Sequence, residues 1–410
     1  MNRSSPTGVA SDASCESYSA VKTEAGYQAL FDPGARLVET AGALTLVEGK
    51  CDGQVLRAAL TDRAVAGGSF GVEESEALTK HLLRSHDDGT PFVLILDSAG
   101  ARLDAGLAGL GAFRRLYRAA LDVRLAGVPM AALLERDCFG GASMLAMLCP
   151  VRGAIQSARI GMSGPGIVAA LSGGQDLDAY DRDAVRALFG APSRARAGAI
   201  DFLFDSNTPR HEALAQLLGL AMSKKAGLGA QHQILEKRLR EAGIETGTPV
   251  LDNVAELFRR GIPVGAAELW QLSDAVLSCQ PGEILELEID CPGQAASSRD
   301  ESLVLSEYVA HLALCLRERY HCGVEIVMRI EGESAGGIYV ALAAGAQRVE
   351  ATPMANVRVL PARAIEVVLG KFLPDESLAD ALVAGIVDFI VPIRGCSAAV
   401  PAVRLGSSNE

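Results

Sequence analysis

Gly127-Val-Pro-Met-Ala-Ala-Leu-Leu-Glu-Arg-Asp-Cys-Phe-Gly140-Gly141 lies without a gap over Gly323-Val-Glu-Ile-Val-Met-Arg-Ile-Glu-Gly-Glu-Ser-Ala-Gly336-Gly337, roughly 200 residues further on. Each stretch reads as a buried strand running into paired glycines and then a helix of small residues. Upstream of each stands a similar apolar run, Phe92-Val-Leu-Ile-Leu-Asp97-Ser-Ala-Gly100 and Ile284-Leu-Glu-Leu-Glu-Ile-Asp290-Cys-Pro-Gly293. Downstream come Ala197-Gly-Ala-Ile-Asp201-Phe and Ala384-Gly-Ile-Val-Asp388-Phe. Three markers repeated in one order imply two copies of one fold.

Between the markers, apolar strands alternate with helical periods, which implies α/β layering. Residues 35 to 75 read as a few strands joined by tight turns. Glu73 to Ser85 has a helical period. Leu107 to Ala126 is helical too, with Leu110, Phe113, Leu116, Tyr117, Ala120 and Leu121 on one face and Arg114, Arg115 and Arg118 elsewhere. Its counterpart in the second copy is Leu303 to Tyr320.

The expected organisation is a disordered lead-in at 1–26, a first domain at 27–222, a charged, partly helical connector at 223–250, a second domain at 251–400, and a tail at 401–410. The 410 residues, 49% apolar, are ample for two packed domains. A net charge of −12, with aromatics at only 5%, argues against nucleic acid as a partner. No apolar run is long enough to span a bilayer. The nine cysteines contain no Cys-X-X-Cys pair, so neither a zinc site nor a disulfide framework is signalled, and a cytoplasmic setting with reduced thiols is expected.

Glycines at the start of a helix leave N–H groups without intrahelical acceptors and let a ligand approach the backbone closely. The helix dipole adds partial positive charge at the same place. The turns therefore suit two oxyanion sites facing a shared cleft, although close helix–strand packing also uses paired glycines. Cys138 and Ser334 stand two residues before their glycine pairs as candidate proton donors or packing residues. Asp97 and Asp290, at the ends of core strands, read as partners for loop backbone. The six histidines read as single, satisfied or surface residues.

Leu96-Asp-Ser-Ala-Gly-Ala-Arg102-Leu, Ala66-Gly-Gly-Ser-Phe-Gly71, Cys138-Phe-Gly-Gly-Ala142 and Gly161-Met-Ser-Gly164-Pro165 resemble carboxyltransferase domains of the crotonase superfamily. The similarity is greatest to the beta subunit of biotin-independent malonate decarboxylase. The second copy resembles that enzyme's gamma subunit, above all in Ile289-Asp-Cys-Pro-Gly293-Gln294-Ala-Ala-Ser-Ser-Arg299-Asp-Glu301. The resemblance implies a beta–gamma fusion of two tandem crotonase-like domains, each of twisted β-sheets flanked by helices. It implies a malonyl or substituted malonyl thioester, carried by the phosphopantetheine arm of an acyl carrier protein or by coenzyme A, that loses CO2. No covalently bound cofactor and no metal are implied.

Carried onto this chain, the first oxyanion hole comprises the N–H groups around Gly140, Gly141 and Ala142, and the second those around Gly336, Gly337 and Ile338. Gly164 shapes the acyl pocket, with further substrate contacts from Gly68 and Gly100. Arg102 and Arg299 either grip a substrate carboxylate or phosphate or are loop arginines. The cluster Arg114, Arg115, Arg118 and Arg124 either docks an acidic carrier protein or forms a solvated helix face. The chain departs from the gamma pattern at Val357-Arg-Val-Leu-Pro-Ala-Arg363, where the family has a histidine. A homodimer is expected. A biotin-dependent carboxyltransferase subunit and a non-catalytic acyl-thioester-binding subunit are the alternatives.

Overall fold

The computed structural model describes residues 27–224, 227–246, 261–370 and 376–393. The expected lead-in, the tail and part of the connector lie outside those residues.

The first half is built on an eight-stranded sheet. β1 (Arg36–Ala41), β2 (Leu44–Cys51) and β3 (Gln54–Thr61) form an antiparallel meander at its edge. β4 (Phe92–Ser98), β5 (Met130–Phe139), β6 (Val151–Ile155) and β8 (Phe202–Phe204) continue it in parallel, and β7 (Arg159–Gly161) pairs with the end of β5. All seven residues of β4 are buried, as expected for a parallel strand covered on both faces. Leu94 and Leu96 enter one apolar cluster and Val93 and Ile95 the other, which lies under a helix. The second half has five parallel strands: β9 (Ile284–Cys291), β10 (Glu325–Ala335), β11 (Arg348–Ala351), β12 (Asn356–Arg358) and β13 (Phe389–Ile390).

The helices that matter below are α1 (Val72–Asp88), α2 (Gly106–Leu125), α3 (Gly140–Leu148), α4 (Pro165–Leu171), α5 (Arg210–Ser223), α6 (Leu228–Glu241), α7 (Ala266–Ser278), α8 (Leu305–His321) and α9 (Gly336–Gly345). Among the described residues no helix is long and apolar enough to cross a membrane.

The duplication extends to irregularities. The pairing of β4 with β5 slips between Leu96 and Ser98, and that of β9 with β10 slips between Ile330 and Ser334. In both halves the strand-end aspartate holds the slipped segment: Asp97 accepts the Asp137 N–H at 3.2 Å, and Asp290 accepts the Glu333 N–H at 2.8 Å. Gly100 (φ 103°) and Gly293 (φ 123°) follow at matched places. A Cβ there would stand 2.7 Å from the Phe139 carbonyl oxygen and 3.2 Å from that of Ala335.

The two halves share one core. α2 and α3 pack against α8 and α9, and a single cluster of buried apolar residues runs across both sheets. Arg114 and Arg118 lie in this interface, not on a solvated face or at a carrier-docking surface. Arg118 donates to the carbonyls of Ala343, Ala344 and Ala346 at 2.9, 3.1 and 2.7 Å, capping the C-terminal end of α9. Arg114 donates to Ala343, Gly385 and Ile386. A cation on the last carbonyls of a helix complements its dipole, so the first half fixes the helix that carries the second half's glycine turn.

The expected connector contributes α6, which packs on α7 and α8. There Glu307 of α8 binds Arg152 of β6 at 2.9 Å and Arg238 of α6 at 2.8 Å. Burial pushes the Glu307 carboxyl up, but Arg152 and Arg238 outweigh it and bring it down to about 2.

Candidate active site

Each glycine turn forms where a strand runs straight into a helix. Gly140 (φ 53°) and Gly336 (φ 60°) adopt left-handed backbone at the junction, a conformation that favours glycine. The second glycine of each pair is required by packing. A Cβ on Gly141 would lie 2.6 Å from Cζ of Phe113, and one on Gly337 would press on Met162 and lie 3.0 Å from Sδ of Met144. Both methionines belong to the first half, so the halves interlock at the turns.

Both turns line one cavity of about 170 Å³, formed within a single chain. Its wall includes Ala99, Ala101, Phe139, Gly140, Gly141, Met162, Gly164, Gln294, Gly336 and Gly337, with apolar side chains completing it. Among the described residues no aspartate, glutamate, histidine, lysine, arginine, serine or cysteine lines it. The N-termini of α3 and α9 supply the polarity.

The cavity separates the expected site residues. Gly140 lines it, but its N–H already donates to the Met162 carbonyl at 3.2 Å. Gly141 lines it as the second residue of α3, and its N–H has no acceptor among the described residues. Ala142 and Ile338 are fully buried in their helices and are not part of the wall. The Gly337 N–H is taken by the side chain of Gln294 at 3.1 Å. Gly164 lines the cavity at the start of α4.

Other expectations are corrected. Cys138 and Ser334 are buried in β5 and β10 and do not reach the wall, and burial pushes the Cys138 thiol well up. Arg102 ion-pairs with Glu74 and donates to the Ser69 hydroxyl at 3.2 Å and carbonyl at 3.0 Å, bracing the loop instead of reaching for a substrate. Arg299 is exposed on a short helix away from the wall. Gly68 is buried beneath the Asp97 carbonyl, and Gly100 lies behind its cavity-lining neighbours Ala99 and Ala101. His232 and His311 are not single: they lie 3.1 Å apart, with Trp270 stacked on His232.

Three residues that the sequence shows only inside the family-like motifs, with no role of their own, belong to the site. Ala101 lines the cavity, and its N–H has no acceptor among the described residues, whereas those of Ala99, Gly100 and Arg102 are bound to Gly67, Ser98 and Phe70. Gln294 contributes a polar side chain to the wall. Glu301 crosses from the second half to accept the N–H groups of Met162 (3.1 Å) and Ser163 (2.6 Å), fixing the segment whose carbonyl orders Gly140. Burial raises its carboxyl to about 7 despite Arg194 nearby at 3.7 Å.

Residues 16–193 match the carboxyl transferase domain family, and residues 259–375 match the malonate decarboxylase gamma subunit family. The chain is a fused carboxyltransferase-type protein. Its beta-like half comes first and its gamma-like half second. It is 29% identical over 179 residues to the acetyl-coenzyme A carboxylase carboxyl transferase subunits beta/alpha of Salinispora tropica, covering 43% of this chain and 30% of that protein. It is 30% identical over 145 residues to the methylmalonyl-CoA carboxyltransferase 12S subunit of Propionibacterium freudenreichii subsp. shermanii, covering 35% and 27%. The chain thus spans about a third of the length of these relatives. Among solved structures, a malonate decarboxylase hetero-tetramer from Pseudomonas in complex with malonate aligns with 52% of this chain and 87% of its own, at TM-score 0.48 and 23% identity. The transcarboxylase 12S hexamer aligns with 89% and 85%, at TM-score 0.42 and 19% identity.

Proposed function

We propose that this fused carboxyltransferase-type chain decarboxylates a malonyl or substituted malonyl thioester carried on coenzyme A or an acyl carrier protein. The observation that carries this reading is the one cavity lined by both glycine turns and, among the described residues, by no ionisable side chain. In such a cavity a substrate carboxylate loses its hydration without gaining a counter-ion, which favours its departure as neutral CO2. The bond between the α-carbon and the carboxylate breaks, and its electron pair moves into the thioester carbonyl. The resulting enolate oxygen is held by the N–H groups of Gly141 and Ala101, at the positive end of α3. A proton from water then reaches the α-carbon, leaving the acyl thioester. Neither a nucleophile nor a general base is needed, so the buried positions of Cys138 and Ser334 are compatible with turnover.

The matches to carboxyl transferase domains favour one second reading, transfer of the carboxyl group to biotin on a partner chain. Incubation with malonyl-CoA or malonyl-loaded carrier protein, with and without avidin, separates the two. Release of CO2 unaffected by avidin supports decarboxylation, and turnover that requires a biotinylated partner overturns it. Assembly as a cytoplasmic homodimer completes the proposal and is checked by sedimentation.

A further inference from the structure

The two halves present their turns differently, and the difference lies in one residue pair. Phe70 bridges to Ala101 in the first half, and Val264 bridges to Gln294 in the second, each with the same flanking backbone hydrogen bonds. Ala101 and Gln294 are therefore counterparts, and both line the cavity. The methyl group of Ala101 leaves the Gly141 N–H open. The side chain of Gln294 instead lies across the second turn, with Oε1 accepting the Gly337 N–H at 3.1 Å. A Cβ on Gly336 would stand 3.0 Å from that oxygen, so glycine leaves the room the side chain needs.

A backbone N–H can bond only to an acceptor, which fixes the amide's orientation: oxygen on Gly337, nitrogen elsewhere. Gln294 is 8% exposed, and its Nε2 donates to no acceptor among the described residues. We infer that the Gln294 NH2 group, not the backbone of the second turn, is the second half's donor in the cavity, and that it binds the free carboxylate of the malonyl group. The inference rests on the decarboxylase reading. A neutral amide suits that reaction, because it orients the carboxylate without the full positive charge that would hold it in the ionised state. The same contact occupies the Gly337 N–H, whereas the Gly141 N–H of the first turn is left to the enolate oxygen.

The test measures binding of a non-decarboxylating malonyl-CoA analogue (malonyl-CoA below) and of acetyl-CoA, which differ by that carboxylate, to wild type, Gln294→Ala and Gln294→Glu by calorimetry. Gln294→Glu keeps an acceptor for Gly337 but exchanges the donor for a negative charge. Malonyl-CoA is expected to bind roughly 10-fold or more weakly to Gln294→Ala, and more weakly still to Gln294→Glu, with acetyl-CoA affinity unchanged in both. A residue that merely caps the turn makes no contact with the carboxylate, so Gln294→Ala that binds malonyl-CoA as tightly as wild type would overturn the inference. So would equal weakening of the two ligands, or wild type that does not prefer malonyl-CoA. Wild type that shows the expected binding pattern but releases no CO2 from malonyl-CoA itself would sink the decarboxylase reading and leave the carboxylate contact standing.

Discussion

Replacing Glu307 by alanine removes the carboxylate that joins β6, α6 and α8. Arg152 and Arg238, with side chains 6% and 9% exposed, would then stay buried without their shared partner. Breaking a buried pair from one side costs about 3–5 kcal/mol. A second route gives a similar size. The carboxyl moves from its ordinary 4.5 down to about 2 in the folded chain, roughly 2.5 pH units at about 1.4 kcal/mol each, or roughly 3–4 kcal/mol. Because the folded value is depressed, this stability is present above about pH 4.5 and is lost as pH falls towards 2. Urea unfolding of wild type and Glu307→Ala at pH 7 measures the cost. The triple change Arg152→Met, Glu307→Leu, Arg238→Met, which swaps the ion cluster for apolar side chains, should recover most of it. A loss below about 1 kcal/mol for Glu307→Ala would refute the idea that this cluster pins the halves together.

Glu301 should show the opposite pH dependence. Its carboxyl is raised to about 7, so its stabilising contribution is complete below about pH 4.5 and declines as pH rises towards 7. Wild-type stability should accordingly fall more steeply from pH 5 to 7 than that of Glu301→Gln, and parallel curves would exclude the effect. Gly100→Ala should destabilise by about 2 kcal/mol or more, combining positive φ with a 2.7 Å approach to the Phe139 carbonyl, and should exceed Gly293→Ala, where the approach is 3.2 Å. Urea midpoints decide the order, and a reversed ranking would contradict it. Arg118→Met should loosen the C-terminal end of α9, seen as faster amide exchange at Ala343 to Ala346, and unchanged exchange there would rule out the capping role.

The features legible in the chain are those that the backbone itself imposes. Gly140 and Gly336 stand where a strand meets a helix in left-handed conformation, so the requirement is written as glycine in both copies. Asp97 and Asp290 bind backbone at the end of buried strands, as the position of a short acidic side chain there implies. The helix over Leu107 to Ala126 was readable from its apolar spacing, and all six residues of the expected face are buried. Its arginines were not readable, because the carbonyls that Arg114 and Arg118 bind lie more than 200 residues away. Separations of 79 and 139 residues likewise hid the approach of His232 to His311 and the reach of Glu301 into the first half. Ala101 left no trace for a different reason: its contribution is a backbone N–H, which any residue but proline supplies. For Arg102 the sequence left two readings open, and the loop arginine is the one found, since its partner Glu74 lies 28 residues away.

The most direct measurement is a crystal structure with a non-cleavable malonyl thioester analogue. The account predicts its carbonyl oxygen within about 3 Å of the Ala101 and Gly141 nitrogens, with the carboxylate against Nε2 of Gln294. An analogue bound outside the cavity, or one whose carbonyl lies against other groups, would contradict it.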